Sequence, residues 1–174
     1  RHAEKPVSRK PHLALRGEMR AIGLAKLLPK IVTPDFVFAS TSTKHSARPY
    51  QTIRPAADRM GLNVSTVYAD KDTKKIARDL KKKRYSGKTI LFCWHHGQIP
   101  KLIRELGHPP PYEQWPEELY DRIINIENIQ LKNPVTTEGD EVLIEVECLA
   151  TAFRAVRADE AVSAVNKRHP GGAH

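Results

Sequence analysis

Histidine and arginine side chains stand in three separate segments of the chain, in a combination that suits phosphoryl chemistry. Arg1 and His2 open the sequence, Arg48 precedes a segment of helical spacing, and His95 follows the apolar run 90–94. An imidazole can act as a nucleophile and carry a phosphoryl group, and guanidinium forks match phosphoryl oxygens. These four residues therefore predict a site for a single phosphate group.

The apolar pattern predicts alternating helices and strands. Helical spacing covers 15–28, 49–60, 72–85, 98–106 and 151–165, whereas short apolar or alternating runs predict strands at 35–40, 63–68, 89–94, 120–126 and 141–149. We expect the first helix to end near Pro29 and Gly61 to cap the second. The run 89–94 is apolar throughout, which predicts a central strand. This order indicates one α/β domain, a three-layer α/β/α sandwich with a mostly parallel central sheet.

The predicted strand ends place the candidate residues. Ser40 and His95 each stand at the carboxyl end of a strand, where open parallel sheets bind their ligands. Residues 1–150 are expected to form the domain, and residues 151–174 a C-terminal helix and tail. No strand precedes Arg1 and His2 in the sequence, so we expect a longer protein in which an apolar run of roughly four to six residues supplies that first strand.

Composition bounds the class of protein. The 174 residues suffice for one domain with a real core, and no apolar run is long enough to cross a membrane. Of the net charge of +9, the segment 71–84 contributes +6, which indicates either a solvated helix face or a funnel for anions. Cys93 and Cys148 lie in apolar runs and are expected to be buried free thiols, which favours a reducing compartment, the cytoplasm. No Walker loop or dinucleotide fingerprint is present.

Taken together, these motifs resemble the histidine phosphatase superfamily, in its phosphoglycerate mutase-like branch. The resemblance runs from residue 1 to about residue 149. It rests on four motifs, which are Arg1-His2-Ala3-Glu4, Leu15-Arg16-Gly17 with Arg20-Ala21, Arg48-Pro49-Tyr50-Gln51-Thr52, and His95 with Ile99-Pro100 at the start of the next helix. The Glu-Ser start and the later Asn of the strict mutases are absent, so mutase activity is not expected.

The resemblance implies a mechanism and a role for each residue. His2 would attack phosphorus and carry the phosphohistidine, Arg1 and Arg48 would bind the phosphoryl oxygens, and His95 would stabilise the transition state, with His96 as the alternative to His95. Asp70 and Asp72 are the candidates for the acid that protonates the leaving group. The resemblance implies a small phosphorylated substrate, and no metal or other cofactor is expected.

Two other functions remain open at the level of the sequence. The first is a catalytically silent member of the superfamily that binds a phosphorylated ligand or partner. The second is a nucleic-acid-binding domain that uses the basic segment 71–84, which is the least favoured of the three, and no membrane partner is expected.

Overall fold

The computed structural model describes residues 1–8, 10–129 and 142–144. Within these residues the elements follow one another as α1 (Leu15–Ile31), β1 (Phe36–Ser40), α2 (Arg48–Arg59), β2 (Val64–Tyr68), α3 (Thr73–Asp79), β3 (Ile90–Cys93), α4 (Ile99–Glu105), β4 (Ile126–Ile129) and β5 (Val142–Ile144). A short 3₁₀ helix, Lys83–Tyr85, lies between α3 and β3.

The central sheet has the strand order β2-β1-β3, and both pairings are parallel. β4 and β5 form a separate antiparallel ribbon. The predicted α/β class with a parallel sheet is therefore confirmed. The prediction that the run 89–94 is central is wrong for the described part of the chain, because β1 lies between β2 and β3. A strand covered by helices on both faces is apolar throughout even at a sheet edge, so this pattern does not report its position.

Alternate side chains of the strands enter two cores on opposite faces of the sheet. On one face, Val37 of β1 and Leu91 of β3 pack with residues of α1 and α2. On the other face, Phe38 and Ile90 pack with residues of α3 and α4. The three layers expected from the sequence are therefore present, with α1 and α2 on one side and α3 and α4 on the other.

Helix α1 ends two residues beyond Pro29, near its expected end, and buries a face of small residues. It continues through Pro29 to Ile31, and Val32 N–H still donates to Leu28 O at 3.0 Å. The helix buries the small residues Gly17 and Ala21 together with Leu28, whereas the larger Leu15, Met19 and Ile22 are exposed. Small side chains allow a neighbouring backbone to approach closely, and that approach selects the buried face.

The elements between α2 and β3 follow the predicted order with one interruption. Gly61 has a φ of 71° after α2, as expected of a helix-ending glycine. The helix predicted over 72–85 is divided in two: α3 ends at Asp79, and the 3₁₀ helix begins at Lys83. The inward-facing Ile76, Leu80 and Tyr85 are buried, and all eight basic side chains of 71–84 are exposed.

Two further predictions are corrected or lie outside the described residues. The strand predicted at 120–126 is absent over 120–125, and β4 begins at Ile126. β5 covers part of the strand predicted at 141–149. The helix predicted at 151–165, the tail and Cys148 fall outside the described residues. In the portion that the structure describes, no helix is long and apolar enough to cross a membrane.

An apolar cavity of about 120 Å³ lies along β3. It is lined by the β3 residues and Trp94, by Leu24 and Leu28 of α1, by Leu102 and Ile103 of α4, and by isoleucines of 123–126. The strand expected before Arg1 stays a prediction.

Candidate active site

The segment that carries His2 lies beside the end of β3. His2 N–H donates to Trp94 O at 3.0 Å, which places the segment beside the chain leaving β3. On the other side, Ala3 N–H donates to Thr52 Oγ1 at 2.9 Å, and the Thr52 hydroxyl donates to Arg48 O at 2.8 Å. These bonds hold His2 between the carboxyl end of β3 and the first turns of α2.

Helix α1 holds the same segment from its outer side. Ala14 N–H donates to Glu4 O at 2.9 Å, and Arg20 binds the Glu4 carboxylate through Nε at 2.9 Å and Nη2 at 2.6 Å. A Cβ atom added at Gly17 would lie 2.6 Å from Glu4 O. Gly17 is therefore required for α1 to pack against the backbone next to His2.

The His2 ring is buried and has a defined tautomer. His2 is only 1% exposed, and its Nδ1 lies 2.7 Å from Ala3 O. Because a carbonyl oxygen can only accept, Nδ1 carries the proton and Nε2 keeps its lone pair. The pKa of His2 is lowered to about 2, mainly by burial and in part by the neighbouring His95, Arg48 and Arg1, while the bond with Ala3 acts to raise it. The neutral, nucleophilic form is thereby favoured.

The ring of His95 lies beside that of His2. Their centroids are 5.2 Å apart, and the rings meet edge to face at 73°. His95 Nδ1 is 2.8 Å from Asp70 Oδ1 and 3.3 Å from Ser40 Oγ, while Nε2 is 2.8 Å from Ser46 Oγ. Both ring nitrogens thus have partners, which gives the ring one orientation.

Arg1 is held by the proline-rich loop that follows α4. Its Nη1 donates to the carbonyl oxygens of Pro116, Glu117 and Leu119, at 3.1, 2.6 and 3.2 Å. The guanidinium carbon lies 3.9 Å from the centre of the Tyr120 ring, a cation–π contact. Nε and Nη2 are buried, and neither has a hydrogen-bond partner within the described residues.

Arg48 lies at the start of α2, and one of its N–H groups, like those of Arg1, makes no hydrogen bond to the described residues. Its Nη1 donates to Lys10 O at 3.0 Å, whereas its buried Nε finds no hydrogen-bond partner among the described residues. Burial lowers the pKa of both Arg1 and Arg48, although both stay cationic. A buried cationic donor without a partner is costly, so these atoms indicate a place for an anion.

The remaining candidates lie at different places. The His96 ring centroid is 6.5 Å from that of His2, its Nδ1 is buried without a partner among the described residues, and its pKa is lowered first by burial and then by Arg1. Asp70 contacts His95, as given above. Asp72 Oδ2 instead accepts the N–H of Ala69 at 2.9 Å and closes the turn after β2.

Sequence reasoning missed three residues of this site. Ser46 precedes Arg48 by two positions, and this closeness in sequence to a candidate arginine at a helix start could have indicated that it belongs to the site. Thr52 belongs to the motif that carries Arg48, but its bond to Ala3 joins distant segments and leaves no local pattern. Tyr120 lies in a stretch interpreted as a strand, so its ring contacts with Arg1 and His2 were not foreseen.

The geometry combines a neutral imidazole with cationic donors for which the described residues offer no hydrogen-bond partner. His2 and His95 lie next to each other at the carboxyl end of β3, and the charges of Arg1 and Arg48 act on the His2 ring. That these four residues form a phosphate site stays a prediction. Such a group of donors can bind a tetrahedral oxyanion, and the Nε2 lone pair of His2 can attack an electrophilic centre held there.

Comparisons with known proteins give structural likenesses of low similarity. No family model matches the chain, and no curated protein matches it. A solved structure described as mycobacterial hydrolase 1 aligns with 14% identity and a TM-score of 0.45, covering 60% of this chain and 75% of that one. Mycobacterial glucosyl-3-phosphoglycerate phosphatase aligns at 14% identity and a TM-score of 0.43 in its native structure, over 60% of this chain and 74% of that one. Its complex with inorganic phosphate aligns at 16% identity and a TM-score of 0.44, over 60% and 75%.

Proposed function

We propose that this chain is a phosphomonoester hydrolase of the histidine phosphatase superfamily, which acts without a metal through a phosphohistidine on His2. The single observation that carries the proposal is the position of a neutral His2 ring near buried guanidinium donors that have no hydrogen-bond partner in the described part of the chain. An anion is the group that satisfies those donors, and a phosphoryl group is an anion that a neutral imidazole can attack.

The proposed reaction has two steps. In the first, Nε2 of His2 forms a bond to phosphorus while the bond from phosphorus to the ester oxygen breaks, and that oxygen takes a proton from solvent and leaves as the alcohol. In the second, a water oxygen attacks the same phosphorus and gives up a proton to solvent, the N–P bond breaks, and inorganic phosphate leaves. His2 regains its lone pair and can begin another cycle.

The other residues act through charge and orientation. Arg1 and Arg48 bind the phosphoryl oxygens with the donors left unused in the structure, and His95 donates to an oxygen as charge shifts in the transition state. The substrate class is a small phosphorylated compound. Cys93 is a buried free thiol, which supports the expectation of a reducing compartment such as the cytoplasm.

The experiment is a trapping assay with an aryl phosphate. The wild-type chain is mixed with substrate labelled in the phosphoryl group and quenched, and the protein is tested for label that is stable to base and lost in acid, as expected of phosphohistidine. His2→Ala is expected to abolish both the label and turnover, and Arg48→Ala to lower kcat by about 10²- to 10³-fold. His108→Ala, on the half-buried loop after α4, serves as the histidine control.

Turnover by His2→Ala at the wild-type rate would contradict the proposal. So would label that appears on the wild-type chain but not on His2, which peptide mapping of the quenched protein would reveal.

A silent phosphate-binding protein is the second candidate, because the structure leaves the leaving-group acid without an obvious residue. Asp70 is engaged with His95 and Asp72 with Ala69. Calorimetric binding of inorganic phosphate that is lost in Arg48→Ala, together with no turnover across a panel of phosphate esters, would favour this function over hydrolysis.

A further inference from the structure

The hydrogen bonds of His95 form a continuous series across the site. Asp70 Oδ1 lies 2.8 Å from Nδ1 on one side of the ring, and Ser46 Oγ lies 2.8 Å from Nε2 on the other. A carboxylate can only accept, so Nδ1 carries a proton and donates it to Asp70. The other nitrogen, Nε2, faces Ser46.

Asp70 is itself held by its surroundings. Trp94 Nε1 donates to Asp70 O at 2.9 Å, and Trp94 is 1% exposed, so its indole forms a fixed support. The turn that follows β2 is closed from both sides, since Asp72 Oδ2 accepts Ala69 N–H at 2.9 Å and Asp72 N–H donates to Ala69 O at 3.0 Å. The carboxylate thus reaches His95 from a rigid turn.

We infer that Asp70 is a positioning residue, which holds His95 through Nδ1 so that Nε2 faces the phosphoryl group on His2, and that Ser46 occupies this nitrogen until a phosphoryl oxygen replaces it. The inference rests on the proposed function for its kinetic consequences. It also assigns Asp70 a role other than protonating the leaving group, because its nearer oxygen is already bound to His95.

The arrangement has a physical rationale. A carboxylate behind an imidazole fixes its tautomer and stabilises the doubly protonated ring, which can then donate from Nε2. Without the carboxylate, the proton can move to the other nitrogen and the ring can rotate. Among the described residues, the remaining partner of His95 Nδ1 is the uncharged Ser40 hydroxyl, at 3.3 Å. Removing the carboxylate would therefore lower kcat and leave KM little changed, because Asp70 acts through His95 and does not itself bind the substrate.

The kinetic test compares Asp70→Asn with the matched variant Asp58→Asn, an exposed aspartate on α2. Asp70→Asn is expected to lower kcat by about 10²-fold with KM changed by less than about threefold, and Asp58→Asn to behave as wild type. In a His95→Ala background, Asp70→Asn is expected to cost less than about threefold, because its effect passes through the missing ring. The loss is expected to be equal for aryl and alkyl phosphates.

A role as leaving-group acid gives the opposite pattern. The loss in Asp70→Asn would then grow from aryl to alkyl phosphates, whose leaving groups need the proton more, and it would persist in full in the His95→Ala background. Either result overturns the inference.

A second measurement is independent of turnover and separates this inference from the proposed function. Nitrogen-15 correlation spectra of the imidazoles, with His95 assigned by its absence in His95→Ala, report which nitrogen carries the proton. We expect a protonated Nδ1 in the wild-type chain and its loss or averaging in Asp70→Asn, with the exposed His45 unchanged. An unchanged His95 tautomer in Asp70→Asn overturns the inference, even if the chain hydrolyses no phosphate ester.

Discussion

The hydroxyl of Thr52 lies 2.9 Å from the amide nitrogen of Ala3 and joins helix α2 to the segment that carries His2. The same hydroxyl donates to Arg48 O at 2.8 Å. One side chain therefore links the proposed nucleophile's backbone to the turn that carries one of the two guanidinium groups. Both Thr52 and Ala3 are almost completely buried, so no water can replace this bond.

Replacing Thr52 with valine tests that link. The change keeps the shape of the side chain but leaves the buried Ala3 N–H without an acceptor, which is expected to cost about 1–3 kcal/mol of unfolding free energy. Urea denaturation measures the loss, and kcat should fall because His2 is no longer fixed. Thr52→Ser keeps the hydroxyl and should be distinctly more stable than Thr52→Val. Equal stability of the two variants would show that the bond contributes little.

Gly17→Ala tests the close approach of α1 to the backbone of Glu4. Helix propensity alone favours alanine by about 1 kcal/mol, but the new Cβ would lie 2.6 Å from Glu4 O and 3.0 Å from Glu4 N. Overpacking against backbone costs about 1–3 kcal/mol, so we expect net destabilisation and reduced turnover. Gly23→Ala on the same helix meets no atom within 4 Å and should stabilise the protein. A stabilised Gly17→Ala variant would contradict the geometry.

The burial of His2 predicts a loss of stability in acid. Its pKa is lowered to about 2 in the folded chain, so between that value and the ordinary histidine value the unfolded state holds more protons than the folded state. Unfolding free energy therefore falls as the pH drops below about 6.5, by roughly 1.4 kcal/mol per pH unit from this residue. His2→Asn should flatten the dependence by about that slope, as measured by denaturation at several pH values. His45→Asn, an exposed control, should keep the wild-type slope.

The exposed basic residues of 71–84 predict that anionic substrates are attracted to the site. The segment begins next to Asp70, whose carboxylate contacts His95, so its field reaches the proposed phosphate position. Lys74→Glu combined with Lys75→Glu should lower kcat/KM at low salt by about threefold or more and weaken its salt dependence. Lys26→Glu with Lys30→Glu on α1 carries the same charge change as a control. An equal loss in both double variants would indicate a general charge effect.

Local pattern was sufficient for the order and type of most elements. Helices α2 and α4 and strands β1 and β2 lie within a few residues of their predicted bounds, because periodicity and turn residues act over short stretches of chain. The four residues of the proposed site could also be named as candidates, because nucleophilic and cationic side chains at strand ends and helix starts can be identified in a sequence.

Features that depend on a residue far away in the chain could not be predicted from the sequence. The buried face of α1 is set by the backbone of Glu4, which approaches Gly17. The positions of the larger apolar residues in the helix did not predict that face. Asp70 was a candidate acid by position, and only the folded chain brings it to Nδ1 of His95. The position of β3 at the edge of the described sheet was equally hidden, because helices cover both of its faces.

The amino-acid sequence by itself determined which side chains can carry charge or a phosphoryl group and which stretches form helices and strands, since these follow from covalent structure and short-range periodicity. Only the tertiary structure decided which of those side chains meet, which ring nitrogen keeps its lone pair and which guanidinium donors stay unused. Hydrogen bonding and burial depend on atoms far apart along the chain, and their positions are set when the layers pack.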